Sequence, residues 1–444
     1  MRDIFLLVVL PFLIYAIFQR PFIGLGLWIW TALFFPNGWV FGIAGSIRYN
    51  FLFAGLTIFV YLTTKEKPKL IFGKLGSLVI LFYVWSLLTT IFGLSPDEVR
   101  WEYWFKFSKI IALFIFILLI VDKKIHIDFI LWCLVLSVGF YACLEGLKYI
   151  ASAGGHNIAG LTGHVIGDRN ELALAMAMLL PISFYLLHEF GQKSYVFKFG
   201  LLSLIILLVI SIVGTSSRGG MVALSTVGGY LFLKSKRKFL FIFLFVAATT
   251  AMVGLIPEEW FNRMNTLNQA EGDASFMGRV VAWKLSFILA SQNPALGGGF
   301  KALETGRVWF TLSQEFAQYP FFYSGNAIPN PNLARAAHSI YFQVLADHGF
   351  IGLTIFVAIL ISSFLRAGAI ADKVRATCGP EWLINLSTML KLSIFGYAIG
   401  GAALSFAYFD MIYAIFALII VLENKFLPAP IMSQEPQPQN YRQF

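Results

Sequence analysis

Charge is scarce in this chain. Of its 444 residues only 13% are Asp, Glu, Lys or Arg, while 58% are hydrophobic. A soluble globular chain carries about 25% charged and about 45–50% apolar residues. The deficit excludes a soluble enzyme, and the apolar excess excludes a disordered chain. Cysteine is rarer still. Cys133, Cys143 and Cys378 have no metal-ligand spacing, and two of them share one apolar run, which excludes a disulfide framework and a redox motif. Polar–apolar alternation is also missing. Runs such as Leu201–Val213 and Leu240–Ala248 are continuously apolar, which rules out the strands of a membrane β-barrel. The sequence shows no internal repeat, which weighs against the repeat-built transporters. No small-residue cleavage pattern follows the apolar stretch from Ile4, so the N-terminus reads as an uncleaved span.

What is present is apolar sequence enough for roughly a dozen spans of about 20 residues each. The fold class expected is all-α, a polytopic membrane bundle of about 12 transmembrane helices. The net charge of +10 does not call for nucleic acid, because the basic residues are sorted. Lys65, Lys67, Lys69 and Lys74 share one connection, Lys123 and Lys124 another, and Lys193 and Lys198 a third. Lys234, Lys236, Arg237 and Lys238 cluster tightly, and Arg366, Lys373 and Arg375 loosely. These connections alternate with ones poorer in Lys and Arg, which assigns them to the cytoplasm.

Thirteen apolar runs can be counted. The first two (4–18 and 22–35) are short and parted only by Arg20 and Pro21. Two spans before Lys65 give twelve with both termini cytoplasmic; thirteen with an external N-terminus is the alternative. The expected organisation is an N-terminal transmembrane region over 1–150, a second transmembrane domain over 151–426, and a disordered cytoplasmic tail over 427–444. The tail carries Pro428, Pro430, Pro436 and Pro438 among glutamines. Within the second domain, residues 257–337 form a long external region, and loops of that length are often functional. Inside it, Val281, Leu285, Phe287 and Ile288 have helical spacing, so Gly278–Ala290 is expected to be an amphipathic helix at the membrane surface.

Three features project to the external face. Gly214-Thr215-Ser216-Ser217-Arg218-Gly219-Gly220 lies between two apolar runs. Hydroxyls and glycines at a helix start offer N–H groups to an anion, and Arg218 adds a permanently charged fork for phosphate oxygens. An arginine reaching for lipid headgroups is the plainer alternative. Gly278-Arg279, four residues before Trp283, supplies a second candidate clamp, with Trp283 settling the helix at the interface; its plainer reading is a headgroup-facing arginine. His338, in Ala336-Ala337-His338-Ser339-Ile340-Tyr341-Phe342, stands where the chain re-enters the membrane, and imidazole is the side chain suited to proton transfer near neutral pH.

Lesser candidates follow. His348, beside Asp347 and Gly349, looks like a helix-kink or packing element, and His156 and His164 rank below His338. In Gly167-Asp168-Arg169-Asn170-Glu171, capping by Asp168 or Asn170 is favoured, with Arg169 as a possible anion contact. Asp410 is either a turn residue or a ligand contact. No metal-ligand cluster and no phosphate-binding glycine loop is apparent.

Together these residues resemble the O-antigen ligase and O-antigen polymerase superfamily of bacterial membrane proteins. Asp168–Asn170 with Leu172, Ala173 and Pro181 resembles the start of its shared domain. Ser217-Arg218-Gly219 resembles its Ser-Arg-Gly element, and Gly278-Arg279 with Trp283 its external arginine motif. His338 through Gly352, HSIYFQVLADHGFIG, resembles its histidine motif, although serine follows His338 where many members have asparagine. Arg20-Pro21-Phe22 and Trp28-Ile29-Trp30 ahead of Pro36 are similar to the putative O-glycosylation ligase subgroup.

The resemblance implies a glycosyltransferase of the bacterial inner membrane. It would move a glycan from undecaprenyl pyrophosphate to an acceptor on the periplasmic face, inverting and without metal or cofactor. Arg218 and Arg279 would stabilise the departing diphosphate and His338 would be the base. Ser217, Gly219, Arg169, Trp283, Tyr341 and Asp410 are the substrate-binding candidates. The acceptor favoured is lipid A-core. A protein hydroxyl or the end of another glycan chain would use the same chemistry, and a lipid-linked glycan flippase is the alternative of another class. Most runs lack ionisable residues, and the candidate groups gather at one face, which favours the enzyme.

Overall fold

A computed structural model of the chain describes residues 2–161, 163–234, 238–239, 274–320, 323–325 and 327–427. Residues 240–256 of the expected span, 257–273 of the expected external region, Lys236 and Arg237 of the basic cluster, and the proline-rich tail beyond 427 lie outside the described residues. The described residues form helices and connections only, without a strand.

Helix α1 (Arg2–Gln19) stops at Arg20, whose backbone is extended, and Pro21 opens α2 (Pro21–Leu33) at its first position. Proline there sets φ for the new helix and gives up an N–H that has no partner in a first turn. Two short helices, α3 (Pro36–Trp39) and α4 (Gly42–Ser46), lead to α5 (Tyr49–Thr63). At 13 residues α2 is about 20 Å long. It lies along α8 (Lys124–Ala151): Phe22 stacks on His126 at 4.3 Å at one end, and the Phe35 N–H donates to the Tyr141 hydroxyl at 3.0 Å at the other.

Three longer helices, α1, α2 and α5, and two short ones therefore precede Lys65, where two spans were expected. The start of α1 is tied to the α2–α5 connection. Asp3 accepts from the Phe41 N–H at 2.6 Å, and the Arg2 guanidinium lies over the Trp39 ring at 5.4 Å. Phe35, in the same connection, stacks on His164. The N-terminal end of α1 is thus joined to the connection whose Phe35 stacks on His164.

The chain continues through α6 (Gly73–Ile91), α7 (Asp97–Ile120), α8, α9 (Arg169–Phe190), α10 (Tyr195–Gly214) and α11 (Arg218–Lys234). After the undescribed segment come α12 (Ala274–Gln292), α13 (Gly306–Glu315), α14 (Ile340–Ala376), α15 (Glu381–Gly400) and α16 (Asp410–Val421). Among the described residues eight helices are long and apolar enough to cross a membrane, with α2 and α5 as shorter apolar helices. The chain is a multi-pass membrane protein.

Two expected runs break differently from the sequence reading. The run at 386–409 is not one span. It is the end of α15, a 3₁₀ turn over Gly401–Ala403, and an extended stretch before Asp410. Arg366, Lys373 and Arg375 are not in a connection but within α14, which continues past the expected end at 365.

Packing centres on α16, buried at every residue from Met411 to Val421 and walled by α2, α6, α7, α14 and α15. A helix apolar all round belongs inside a bundle. A second, smaller core joins α12 to α13: Val281, Leu285, Ile288, Trp309, Leu312 and Phe316 pack with Ala337 and Ala346. The expected helix at Gly278–Ala290 is thus present within α12, its apolar side turned to protein.

Candidate functional site

Four segments that are far apart in sequence meet at the turn Gly400–Ser405. The first is the start of α11. Ser216 takes a left-handed conformation (φ 51°) that separates α10 from α11. Ser217 is buried, and its hydroxyl accepts from the Gly220 N–H at 3.1 Å, so it serves as a helix cap rather than facing a ligand. The glycines after Arg218 permit close packing. A Cβ on Gly219 would lie 3.3 Å from the Gly400 carbonyl oxygen, and one on Gly220 would press on Ala173 of α9. Arg218, half-buried, is thereby fixed at the helix end beside the turn.

The second segment is α12, where Arg279 Nη1 donates to the Ala403 carbonyl at 3.2 Å. The third is the approach to α14. His338 is held at φ 47°, and its N–H donates to Ser405 Oγ at 2.7 Å. A left-handed backbone is unfavourable for any residue with a Cβ and persists where surrounding contacts over-determine it. Those contacts flank His338: Ser405 holds its N–H, and the preceding carbonyl, of Ala337, accepts from Trp283 Nε1 at 2.7 Å. Trp283 also stacks on Phe342 at 5.3 Å, so it braces the histidine segment. Tyr341 donates to the Ala398 carbonyl at 2.8 Å, pinning α14 to α15.

The fourth segment is the start of α9. Asp168 caps the helix by accepting from the Asn170 N–H at 2.6 Å, and Glu171 reaches back to the N–H groups of Gly167 and Asp168. This is the reciprocal capping box, so the capping expectation holds. Arg169 follows at the first helical position, half-buried.

Charge around His338 is mixed. Burial, first, and the positive charge of Arg279 hold its imidazole below the usual 6.5; Asp168 and Glu304 oppose them, and Arg335 adds to the lowering. The ring is therefore mainly neutral near pH 7, the form that can take up a proton. Arg335 is a cation that the sequence reading passed over, its Nη1 only 2.7 Å from where a Gly278 Cβ would stand.

Lys301 and Glu304 were also passed over. Lys301 sits at φ 61°, with its N–H on Asp347 Oδ1 at 3.1 Å and its ammonium 2.7 Å from Glu304 Oε1. Burial works against the Lys301 charge, but Glu304 and Asp347 prevail and its pKa is raised. The loop carrying it, Gly297-Gly298-Gly299, is laid against the kink of α14 at Gly349 (φ 67°) by bonds from Gly298 and Gly299 N–H to the Ala346 and Asp347 carbonyls, each 2.8 Å. His348 lies buried at that kink, its Nδ1 2.7 Å from Thr89 Oγ1.

Beside the turn opens a cavity of about 690 Å³, lined by Arg48, Lys106, Lys109, His164, Glu171, Lys301, Ser405 and Asp410 among others. Asp410 is thus placed on a cavity wall, at the first residue of α16. Burial pushes His164 down to about 4, so it adds no charge there at neutral pH. Among the described residues, no three His, Cys, Asp or Glu side chains lie close enough together to hold a metal ion.

Arg279 and His338 are thus brought to one turn of a multi-pass helical membrane protein, with Arg218 on the helix packed beside it. Residues 203–357 match the family model described as O-antigen ligase, a stretch that contains Ser217-Arg218-Gly219, Gly278-Arg279 and His338. Residues 1–191 match a family described as of unknown function. No curated protein matches the chain. Residues 203–357 are thus similar to an O-antigen ligase domain, set within a multi-pass helical membrane protein.

Proposed function

We infer that the protein transfers a glycan from undecaprenyl pyrophosphate to a hydroxyl of lipid A-core at the periplasmic face of the bacterial inner membrane. The observation that carries this reading is the turn Gly400–Ser405, which receives Arg279 through Ala403, His338 through Ser405 and the Arg218 helix through Gly219. The His338 imidazole takes the proton of the acceptor hydroxyl. The freed oxygen pair bonds to the anomeric carbon, and the bond from that carbon to the diphosphate oxygen breaks, its electron pair leaving with the lipid pyrophosphate. Attack opposite the leaving group inverts the anomeric centre, and no metal is required.

Charge develops on the leaving diphosphate, and Arg218 and Arg279 are the groups that stabilise it. Fixed cations at the border of a low-dielectric membrane are worth far more than in water, and removing one charge-stabilising donor from such an enzyme site costs about 10²–10³ in rate. The domain division follows: 1–150 supports, and 151–426 carries the chemistry.

The test uses purified full-length protein with lipid-linked glycan and lipid A-core, the product being identified by mass spectrometry. Arg218→Ala, Arg279→Ala and His338→Ala should each abolish transfer while thermal unfolding in detergent stays that of the parent. Full transfer by the His338 variant would remove it from the base role. Movement of lipid-linked glycan across vesicles without glycosidic bond formation would favour the flippase.

A further inference from the structure

A second cavity, of about 590 Å³, opens at the end of the bundle away from the candidate site. Its place follows from α2: Phe22 lines it, whereas Phe35, past the other end of that helix, lines the cavity beside the turn. The size falls within the roughly 300–1,000 Å³ of small-ligand sites. Its walls are the break between α1 and α2, the end of α5 with the connection after it, and the passage from α7 to α8.

Charge in this cavity is not balanced from within. Arg20, Lys67 and Lys123 line it together with Glu66 and Asp122. Among the described residues none of these three cations forms an ion pair with a carboxylate. Lys67 instead donates to the Leu62 carbonyl at 3.2 Å and stands over the Tyr61 ring at 5.2 Å. Asp122 Oδ1 is 3.0 Å from His126 Nδ1. Lys425, whose ammonium donates to the Leu118 and Val121 carbonyls at 2.8 and 2.7 Å, adds a further cation beside Asp122. With every partner counted and the histidine left out, four cations stand against two carboxylates.

Two helix starts add to the surplus. Arg20 and Lys123 are the N-cap residues of α2 and α8; neither side chain makes a capping bond, and neither helix has an acidic residue in its first turn. The start of a helix carries partial positive charge, which favours an anion and disfavours a cation. An anion lying between the two starts relieves both. The surroundings indicate its source. Ile125, in the lining, is exposed, as are Phe18, Phe59 and Leu62 beside it. A soluble anion gains nothing from that apolar border, whereas a lipid sets its phosphate among the cations and its chains against these side chains.

We propose that this cavity seats the phosphodiester headgroup of an anionic phospholipid, held by Arg20, Lys67 and Lys123 in the leaflet opposite the candidate site. Basic pockets between membrane helices are suited to such headgroups. The bound lipid bridges the starts of α2 and α8 and anchors the end of α1, a helix in which only Leu6 and Ile17 are buried. The seat is independent of the transfer chemistry.

The experiment measures lipid binding to delipidated full-length protein in detergent by native mass spectrometry. The probes are phosphatidylglycerol, phosphatidylcholine and inorganic phosphate. The variants are Arg20→Gln/Lys123→Gln and, as a control, Lys193→Gln/Lys198→Gln. The control removes equal charge from the stretch after α9, whose Glu189 pairs with Lys124 at the start of α8. Phosphatidylglycerol should bind the parent and weaken by about tenfold or more in Arg20→Gln/Lys123→Gln, as expected for lost charge-assisted contacts, and by less than about twofold in the control. Phosphatidylcholine should bind the parent more weakly, and excess inorganic phosphate should not displace phosphatidylglycerol. In lipid-free detergent Arg20→Gln/Lys123→Gln should unfold at the parent's midpoint or above it, because both helix starts lose a cation.

Phosphatidylcholine binding as tightly as phosphatidylglycerol would overturn the proposal. Equal weakening in the two double variants would do the same, since surface charge alone would then explain the binding. Displacement by inorganic phosphate would assign the cavity to a soluble anion instead. A lower unfolding midpoint of Arg20→Gln/Lys123→Gln in lipid-free detergent would show that these cations serve contacts within the protein, which also defeats the proposal.

Discussion

The His338 N–H donates to Ser405 Oγ at 2.7 Å, across 67 positions of sequence, and this bond secures a histidine whose backbone is in the left-handed region. Ser405→Ala removes the acceptor and leaves a half-buried donor without its partner, a change that costs about 1–3 kcal/mol where no water replaces it. Catalytic groups tolerate little displacement, and a misplacement of about 1 Å can cost 10²-fold. Ser405→Ala should therefore lower kcat for glycan transfer by about 10- to 100-fold with KM for the lipid-linked donor little changed. A donor KM that rises while kcat holds would show that Ser405 serves binding instead.

The pH dependence of transfer follows from the field around His338. Burial and Arg279 lower its pKa from 6.5, so the base is neutral at pH 7 and is lost only when the pH falls below that value. Glu304→Gln removes a negative charge that favours the imidazolium. The pKa should then fall further, and the acid limb of the rate profile should move to lower pH. Arg279→Gln acts in the opposite sense and should move the acid limb of its residual activity upward. A profile that shifts in the same direction in both variants would separate His338 from the acid limb.

Much of this arrangement was legible in the sequence because its elements are local. Continuous apolar runs announced the helices, Asp168 or Asn170 announced a cap, and His348 beside Gly349 announced a kink. Arg279 and His338 were visible as charges at the ends of apolar stretches. The turn that joins them was not. Gly400–Ser405 is made of small residues, Leu404 apart, inside what reads as one apolar run, and its role lies in carbonyls and one hydroxyl that only tertiary contact reveals. The signal that was available is the Gly400-Gly401 pair, which breaks helical propensity ahead of Ser405. Lys301 was hidden for a related reason: its place depends on a glycine loop meeting a helix kink 46 residues on. The cap that Ser217 makes was not legible, because a buried cap and an exposed anion contact share the same sequence signature.

Gly400 tests how tightly the turn is packed. A Cβ there would stand 2.7 Å from Leu174 Cδ1, 2.9 Å from Ala223 Cβ and 3.3 Å from the Gly219 carbonyl oxygen. Leu174 has a side chain that can give, but the other two neighbours cannot move without shifting α11. Overpacking of this kind costs about 1–3 kcal/mol. Gly400→Ala should lower the thermal unfolding midpoint in detergent and reduce transfer. A variant with unchanged unfolding and parental activity would mean that α11 and α15 have slack at this contact.

Trp283 separates bracing from ligand contact. Its Nε1 donates to the Ala337 carbonyl, and its ring lies 5.3 Å from the Phe342 ring with 9° between planes. Trp283→Phe keeps a ring for the stack and loses only the bond that holds the residue before His338. If bracing is the role, Trp283→Phe should depress kcat by about tenfold, the order of one neutral hydrogen bond, without changing KM for donor or acceptor. Trp283→Ala loses the stack as well and should fall further, with a lower unfolding midpoint. If the indole contacts substrate instead, KM should rise already in the Phe variant, because the wider ring and its N–H are then both missing from a binding surface. The split between kcat and KM therefore decides the role, and neither variant alone would do so.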